Sequence, residues 1–140
     1  RLTAAGLRVA TIKHHGSGGA PDPAGKDTTR HRAAGAFATA VVGGGGTLVE
    51  AGGERPLEAL AADHLAAGAD LVLAEGFKRA PGIPKIEVAA RGRERVGAAP
   101  LFALVTDGAP DASCPAFAPD DAGMDALAAR LRRAAASTES

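Results

Sequence analysis

Most of the ionisable interest of the chain lies in 13–32, KHHGSGGAPDPAGKDTTRHR. From Arg8 to Arg32, five basic side chains (Arg8, Lys13, Lys26, Arg30, Arg32) stand against Asp22 and Asp27, with His14, His15 and His31 besides. The whole chain carries 16 residues of each sign, so the excess belongs to this segment. It suits a multiply charged anion, of which phosphate is the commonest: arginine offers a fork of donors and lysine a compact charge. A solvated basic loop with a helical ion pair is the other reading. Asp27, Arg30 and Ala34 lie three and four apart, on one face of a short helix.

The paired histidines invite a metal, but adjacent residues of an extended segment point to opposite sides, and no cysteine or close carboxylate completes a ligand set. Contact with phosphate or a partner, or an ordinary place at a strand end, suits His14 and His15 better. Glu75 is the most pointed carboxylate. It ends an aliphatic run, a glycine follows it, and Lys78 lies three residues on. Nucleotide hydrolases hold magnesium at such a strand end, directly or through water. The alternative is an acid paired with Lys78 or Arg79. Asp107, in TDG, is explained by turn chemistry or, alternatively, by contact with a nucleotide base. None of the glycine clusters (GSGG at 16–19, GGGG at 43–46) continues into the Lys-Ser/Thr of a phosphate loop.

These residues need elements to hold them. Residues 7–13 (LRVATIK), 37–42, 47–51, 70–74 (DLVLA), 85–89 (KIEVA) and 101–105 (LFALV) read as strands, the fourth and sixth buried and 85–89 an edge or one-sided strand. Residues 26–34, 57–67 (LEALAADHLAA) and 120–135 read as helices; Pro56 opens the second and Gly68 stops it. The last is amphipathic through Met124, Leu127, Ala128 and Leu131, with arginines near its negative end. Residues 14–25 form a long loop. The turn at 43–46 gives a hairpin whose edge could pair with a partner. Apolar strands alternating with helices imply an α/β domain with a mostly parallel sheet covered on both faces. Ligands of such sheets bind beyond the carboxyl ends of the strands. His14 and His15, Glu75 with Lys78, and Thr106 with Asp107 leave those ends.

Composition bounds the remaining choices. At 140 residues and 46% apolar content, the chain suits one domain spanning 1–140. Equal charges argue against nucleic acid and anionic membranes as partners, and four Phe without Trp or Tyr argue against a base-stacking platform. No segment reads as a membrane span or a signal peptide. Cys114 is the one cysteine, which excludes an internal disulfide and points to a reducing, cytoplasmic setting. Residues 1–6 read as the last turn of a helix capped by Gly6, so an upstream strand and most of that helix are expected to be missing.

Taken in order, LRVATIKHH, AGKDTTRHRAAGA, DLVLAEGFK and PKIEV resemble the molybdopterin-guanine dinucleotide biosynthesis protein B (MobB) family from about Gly6 to Asp107. The resemblance implies a three-layer P-loop NTPase-like fold that binds GTP with magnesium, hydrolyses it slowly and forms homodimers. It implies an accessory role to a MobA-type guanylyltransferase, which attaches GMP to molybdopterin to form the guanine dinucleotide. It also implies that Glu75 is the second nucleotide-binding acid, near magnesium. Lys13, His14, Asp27, Arg30 and His31 would belong to the surface around nucleotide or cofactor. The family's first strand and phosphate loop would precede Arg1, and without them this polypeptide is expected neither to bind GTP tightly nor to hydrolyse it. A noncatalytic adaptor that holds the pterin nucleotide or a partner enzyme through residues 13–32 is the alternative function.

Overall fold

A computed structural model describes residues 1–14, 27–43, 46–51, 55–89, 101–109 and 114–137. Residues 15–25 of the expected loop, His15 and Asp22 among them, therefore lie outside the described residues, as do Lys26 at the start of the expected helix and the tip of the expected hairpin turn. Elements run β1 (Val9–Lys13), α1 (Asp27–Ala33), β2 (Ala38–Gly43), β3 (Gly46–Ala51), α2 (Leu57–Ala66), β4 (Leu71–Glu75), β5 (Lys85–Ala89), β6 (Leu101–Thr106), β7 (Ala116–Phe117) and α3 (Asp121–Ala136). A single 3-10 turn, Thr3–Ala5, precedes β1 and ends where Gly6, at φ 93°, donates its N–H to Thr3 O. The α/β class follows the sequence reading, and Gly6 stops a helical turn as expected, although that turn is three residues of 3-10 helix. The chain divides into two units, 1–14 with 57–140 and 15–56.

In the first unit β1 and β4 are parallel and in register from Val9↔Leu71 to Lys13↔Glu75. Their amino ends are fastened by Asp70, whose carboxylate accepts from Arg8 N at 2.7 Å and from the Arg8 guanidinium at 3.1 Å. Those two hydrogen bonds, the backbone one foremost, hold the Asp70 carboxyl below its ordinary value. Helix α2 packs on both strands. Residues Leu71 to Leu73 are half-buried and Ala74 and Glu75 exposed, which corrects the expectation of a buried strand. The reason is topological: among the described residues β4 pairs on one edge only, with β1.

Parallel strands in the order β5–β6–β7 form a second sheet in the same unit. As expected, β5 stands at its edge. Strand β6 is the buried one, with Ala103, Leu104 and Val105 at 5% exposure or less. Leu127 of α3 packs on Ala103 and Val105, and Ile86, Phe102, Phe117, Met124 and Leu131 surround them. The spacing Met124, Leu127, Leu131 puts one apolar stripe on that sheet, as the sequence periodicity requires. The Asp120 side chain caps α3 by accepting from Gly123 N at 2.7 Å, and Arg1 pairs with Asp121 and Asp125 in its first two turns.

The second unit holds α1 and the antiparallel hairpin β2–β3, paired from Ala38↔Ala51 to Gly43↔Gly46. Val41 faces Leu48, and Phe37, Val41, Val42, Leu48 and Val49 are all exposed. Only Thr28 and Thr39 are buried among its described side chains.

Candidate functional site

The carboxyl ends of β1 and β4 lie side by side because the two strands are parallel and in register. Lys13 and Glu75 are direct partners across the ladder, and their side chains meet, Nζ to Oε1, at 3.1 Å. Both are about two-thirds exposed or more, at 65% and 73%. The acid's partner is thus the lysine of the neighbouring strand. The sequence alternative, a pairing with Lys78 or Arg79, is corrected: local spacing offered those two, but the parallel ladder delivers a residue 62 positions away.

His14 extends the ladder by one hydrogen bond, its N–H donating to Glu75 O at 2.9 Å. Its ring stands 5.2 Å from that of Phe77, tilted by 49°, within the range of favourable aromatic pairs. Between them Gly76 adopts φ 92°, and a Cβ there would stand 2.9 Å from His14 O. Glycine is therefore required on two counts, conformation and close approach. Phe77 escaped the sequence reading as a site residue, although an aromatic next to a strand-end glycine was a visible signal. Lys78 is exposed, its N–H donates to Gly76 O, and its ammonium makes no ion pair among the described residues.

Asp107 is exposed at the end of β6, in the other parallel sheet. The turn there is held by Thr106 Oγ1, which accepts from Gly108 N at 2.9 Å. In the second unit, Asp27 and Arg30 form the expected helical pair at 3.4 Å, and His31 is exposed beside them. The structure thus brings Lys13, His14, Glu75 and Lys78 to one strand-end tip, and Asp27, Arg30 and His31 to one short helix.

Magnesium keeps several waters and takes one or two protein carboxylates together with substrate phosphates. One exposed carboxylate at a strand end answers that need. Among the described residues no group of three or more His, Cys, Asp or Glu converges, so this is no all-protein cage. For an anion, the Lys13 ammonium stands at that tip, and the exposed Lys78 follows three residues after Glu75. No helix among the described residues is long and apolar enough to cross a membrane.

Comparison with known proteins adds an independent line. Residues 1–107 match the family model for Molybdopterin guanine dinucleotide synthesis protein B. A Bacillus subtilis (strain 168) protein named "Probable molybdopterin-guanine dinucleotide biosynthesis adapter protein" is 41% identical over 85 residues, covering 59% of this chain and 49% of that protein. The chain thus spans about half the length of this curated relative. Among solved structures, Bacillus subtilis MobB aligns with 91% of this chain and 82% of its own, at 28% identity and a TM-score of 0.68. A MobB homologue from Bacillus stearothermophilus aligns with 96% and 82%, at 26% identity and a TM-score of 0.61. With three-quarters of its length inside the family model and the strand order of its two parallel sheets on the page, the chain belongs to the molybdopterin guanine dinucleotide synthesis protein B family.

Proposed function

We propose that this chain supplies part of a guanine-nucleotide site in an accessory protein that assists a MobA-type guanylyltransferase in attaching GMP to molybdopterin. The observation that carries the reading is the Lys13–Glu75 pair at the paired carboxyl ends of two parallel strands. Ligands of open α/β sheets sit beyond those ends. An exposed ion pair is worth at most about 1 kcal/mol, so exchanging it for ligand contacts costs little. Lys13 would turn to a phosphate oxygen and Glu75 to magnesium, directly or through water. Magnesium bound there with GTP would neutralise phosphate charge, and catalysis of hydrolysis would rest on positioning and electrostatics. The family resemblance alone is what assigns Asp27, Arg30 and His31 of α1 to nucleotide or cofactor binding, and Asp107 is a candidate for the base. The exposed apolar hairpin β2–β3 suits a second copy of the chain in a homodimer, and the working compartment is the cytoplasm.

The test is Glu75→Gln in a polypeptide where a phosphate loop precedes these residues. Magnesium-dependent GTP hydrolysis should fall about a hundredfold while labelled-GTP affinity changes by less than about threefold. Unchanged hydrolysis removes Glu75 from the magnesium role. The name of the Bacillus subtilis relative favours a second reading, an adaptor that hydrolyses nothing. GTP or pterin-nucleotide binding with no turnover in the unsubstituted protein would select it.

A further inference from the structure

We infer that Lys85 is a positioning residue, whose ammonium ties down the loop after β4 and thereby holds Phe77 against His14 at the candidate site. Lys85 is the first residue of β5 and is half-buried. Its Nζ donates to Ala80 O at 2.6 Å and to Phe77 O at 3.4 Å, and it pairs with no carboxylate among the described residues. A lysine kept for a ligand would leave its donors in solvent. This one directs them at two backbone carbonyls of one loop, where each charge-assisted hydrogen bond outweighs a neutral one.

The loop itself has little else to fix it. Lys78 N–H donates to Gly76 O and Ala80 N–H to Phe77 O, both contacts local to the turn. Lys85 reaches across from the next strand and holds both the start and the middle of this segment. Its own place is irregular: the register with β6 shifts between Lys85, opposite Leu101, and Ile86, opposite Ala103. Such bulges re-aim side chains, here at the start of the strand that follows the loop. The contacts then run from Lys85 to Phe77, from the Phe77 ring to His14, and from His14 N–H to Glu75 O. What the loop is held for rests on the nucleotide reading above; the lock itself does not.

The experiment uses the full chain without nucleotide. Amide hydrogen exchange and the ring-proton shifts of His14 are compared in the wild type, Lys85→Met, Lys85→Gln and Lys85→Arg, with Phe77→Leu defining the His14 shifts free of the Phe77 ring current. In Lys85→Met the amides of Lys78 and Ala80 should exchange about tenfold faster or more. The His14 signals should move toward their Phe77→Leu positions, while Leu104 N–H, bonded to Pro115 O, keeps its protection. Lys85→Arg should restore most of both. Lys85→Gln, with one amide in place of the ammonium, should fall between and serves if the methionine variant fails to fold. Unchanged loop exchange and His14 shifts in a folded variant overturn the inference, as does a uniform loss of protection across β5 and β6. Because no nucleotide is present, failure of the nucleotide reading would leave these results standing.

Discussion

Replacing Gly76 by alanine tests whether close approach, rather than turn conformation alone, builds the strand-end tip. The chain contains its own control. Gly6 and Gly76 have nearly the same φ, 93° and 92°, but a Cβ on Gly6 meets nothing within 4 Å. On Gly76 it would stand 2.9 Å from His14 O and 3.2 Å from His14 Cβ. Placing an L-residue in the left-handed region costs about 1–2 kcal/mol at either site. At Gly76 the obstructing atoms are backbone and Cβ, which cannot rotate away, so β1 and β4 must part; overpacking of this kind adds about 1–3 kcal/mol. For a chain of this length 1 kcal/mol moves the thermal midpoint by about 3 °C. Gly76→Ala should therefore melt about 3–9 °C below Gly6→Ala when both are followed by circular dichroism. The amide of His14, bonded to Glu75 O, should also lose protection in Gly76→Ala and keep it in Gly6→Ala. Equal midpoints for the two variants would refute the close-approach argument and leave only the φ penalty.

Two further perturbations separate the core from the fastening of the strands. Leu104→Ala removes a side chain that is 2% exposed, and urea unfolding should show a loss of about 3 kcal/mol. Asp70→Asn should lower stability at neutral pH, because the folded-state carboxyl titrates below its ordinary value of 3.8 and its contribution is complete above that value. As pH falls through the lowered folded value the contribution disappears, so the urea midpoints of variant and wild type should converge in acid; a constant gap would remove Asp70 from the role.

How far the sequence went depended on whether the determining contact was local. The helix over 120–135 was legible because its stripe of Met124, Leu127 and Leu131 repeats within one element, and the structure places it one residue later. Strand β7 was not: two residues, Ala116 and Phe117, between Pro115 and Pro119 leave no periodicity to read. The aliphatic run at 70–74 carries the composition of a buried strand, but burial depends on what pairs with its second edge, which no local pattern reports. Glu75 was found by its position after that run, whereas its partner was missed because a parallel ladder joins residues far apart in sequence. The resemblance to the family reached the same stretch that the family model matches, since four ordered motifs survive even where single side-chain contacts cannot be read.

The register that creates the site is itself specified by charge. Between Val9 and Ile12 on one strand and Leu71 and Ala74 on the other, the ladder is mostly aliphatic, and such segments lack features that forbid slippage. Polar pairs stand at both ends. Arg8 meets Asp70 at the amino ends and Lys13 meets Glu75 at the carboxyl ends, and in both the partners are 62 residues apart. A slip of one residue would break both at once, turn every side chain of the moved strand to the other face, and set Lys13 opposite Ala74 or Gly76. Each pair contributes little alone because it is exposed. Their agreement on one offset nevertheless selects a single alignment among several of similar apolar burial. The Lys13–Glu75 pair therefore does two things with one contact: it closes the register of the strands, and it leaves an ammonium and a carboxylate together at the strand ends, where the proposed function puts a phosphate and its cation.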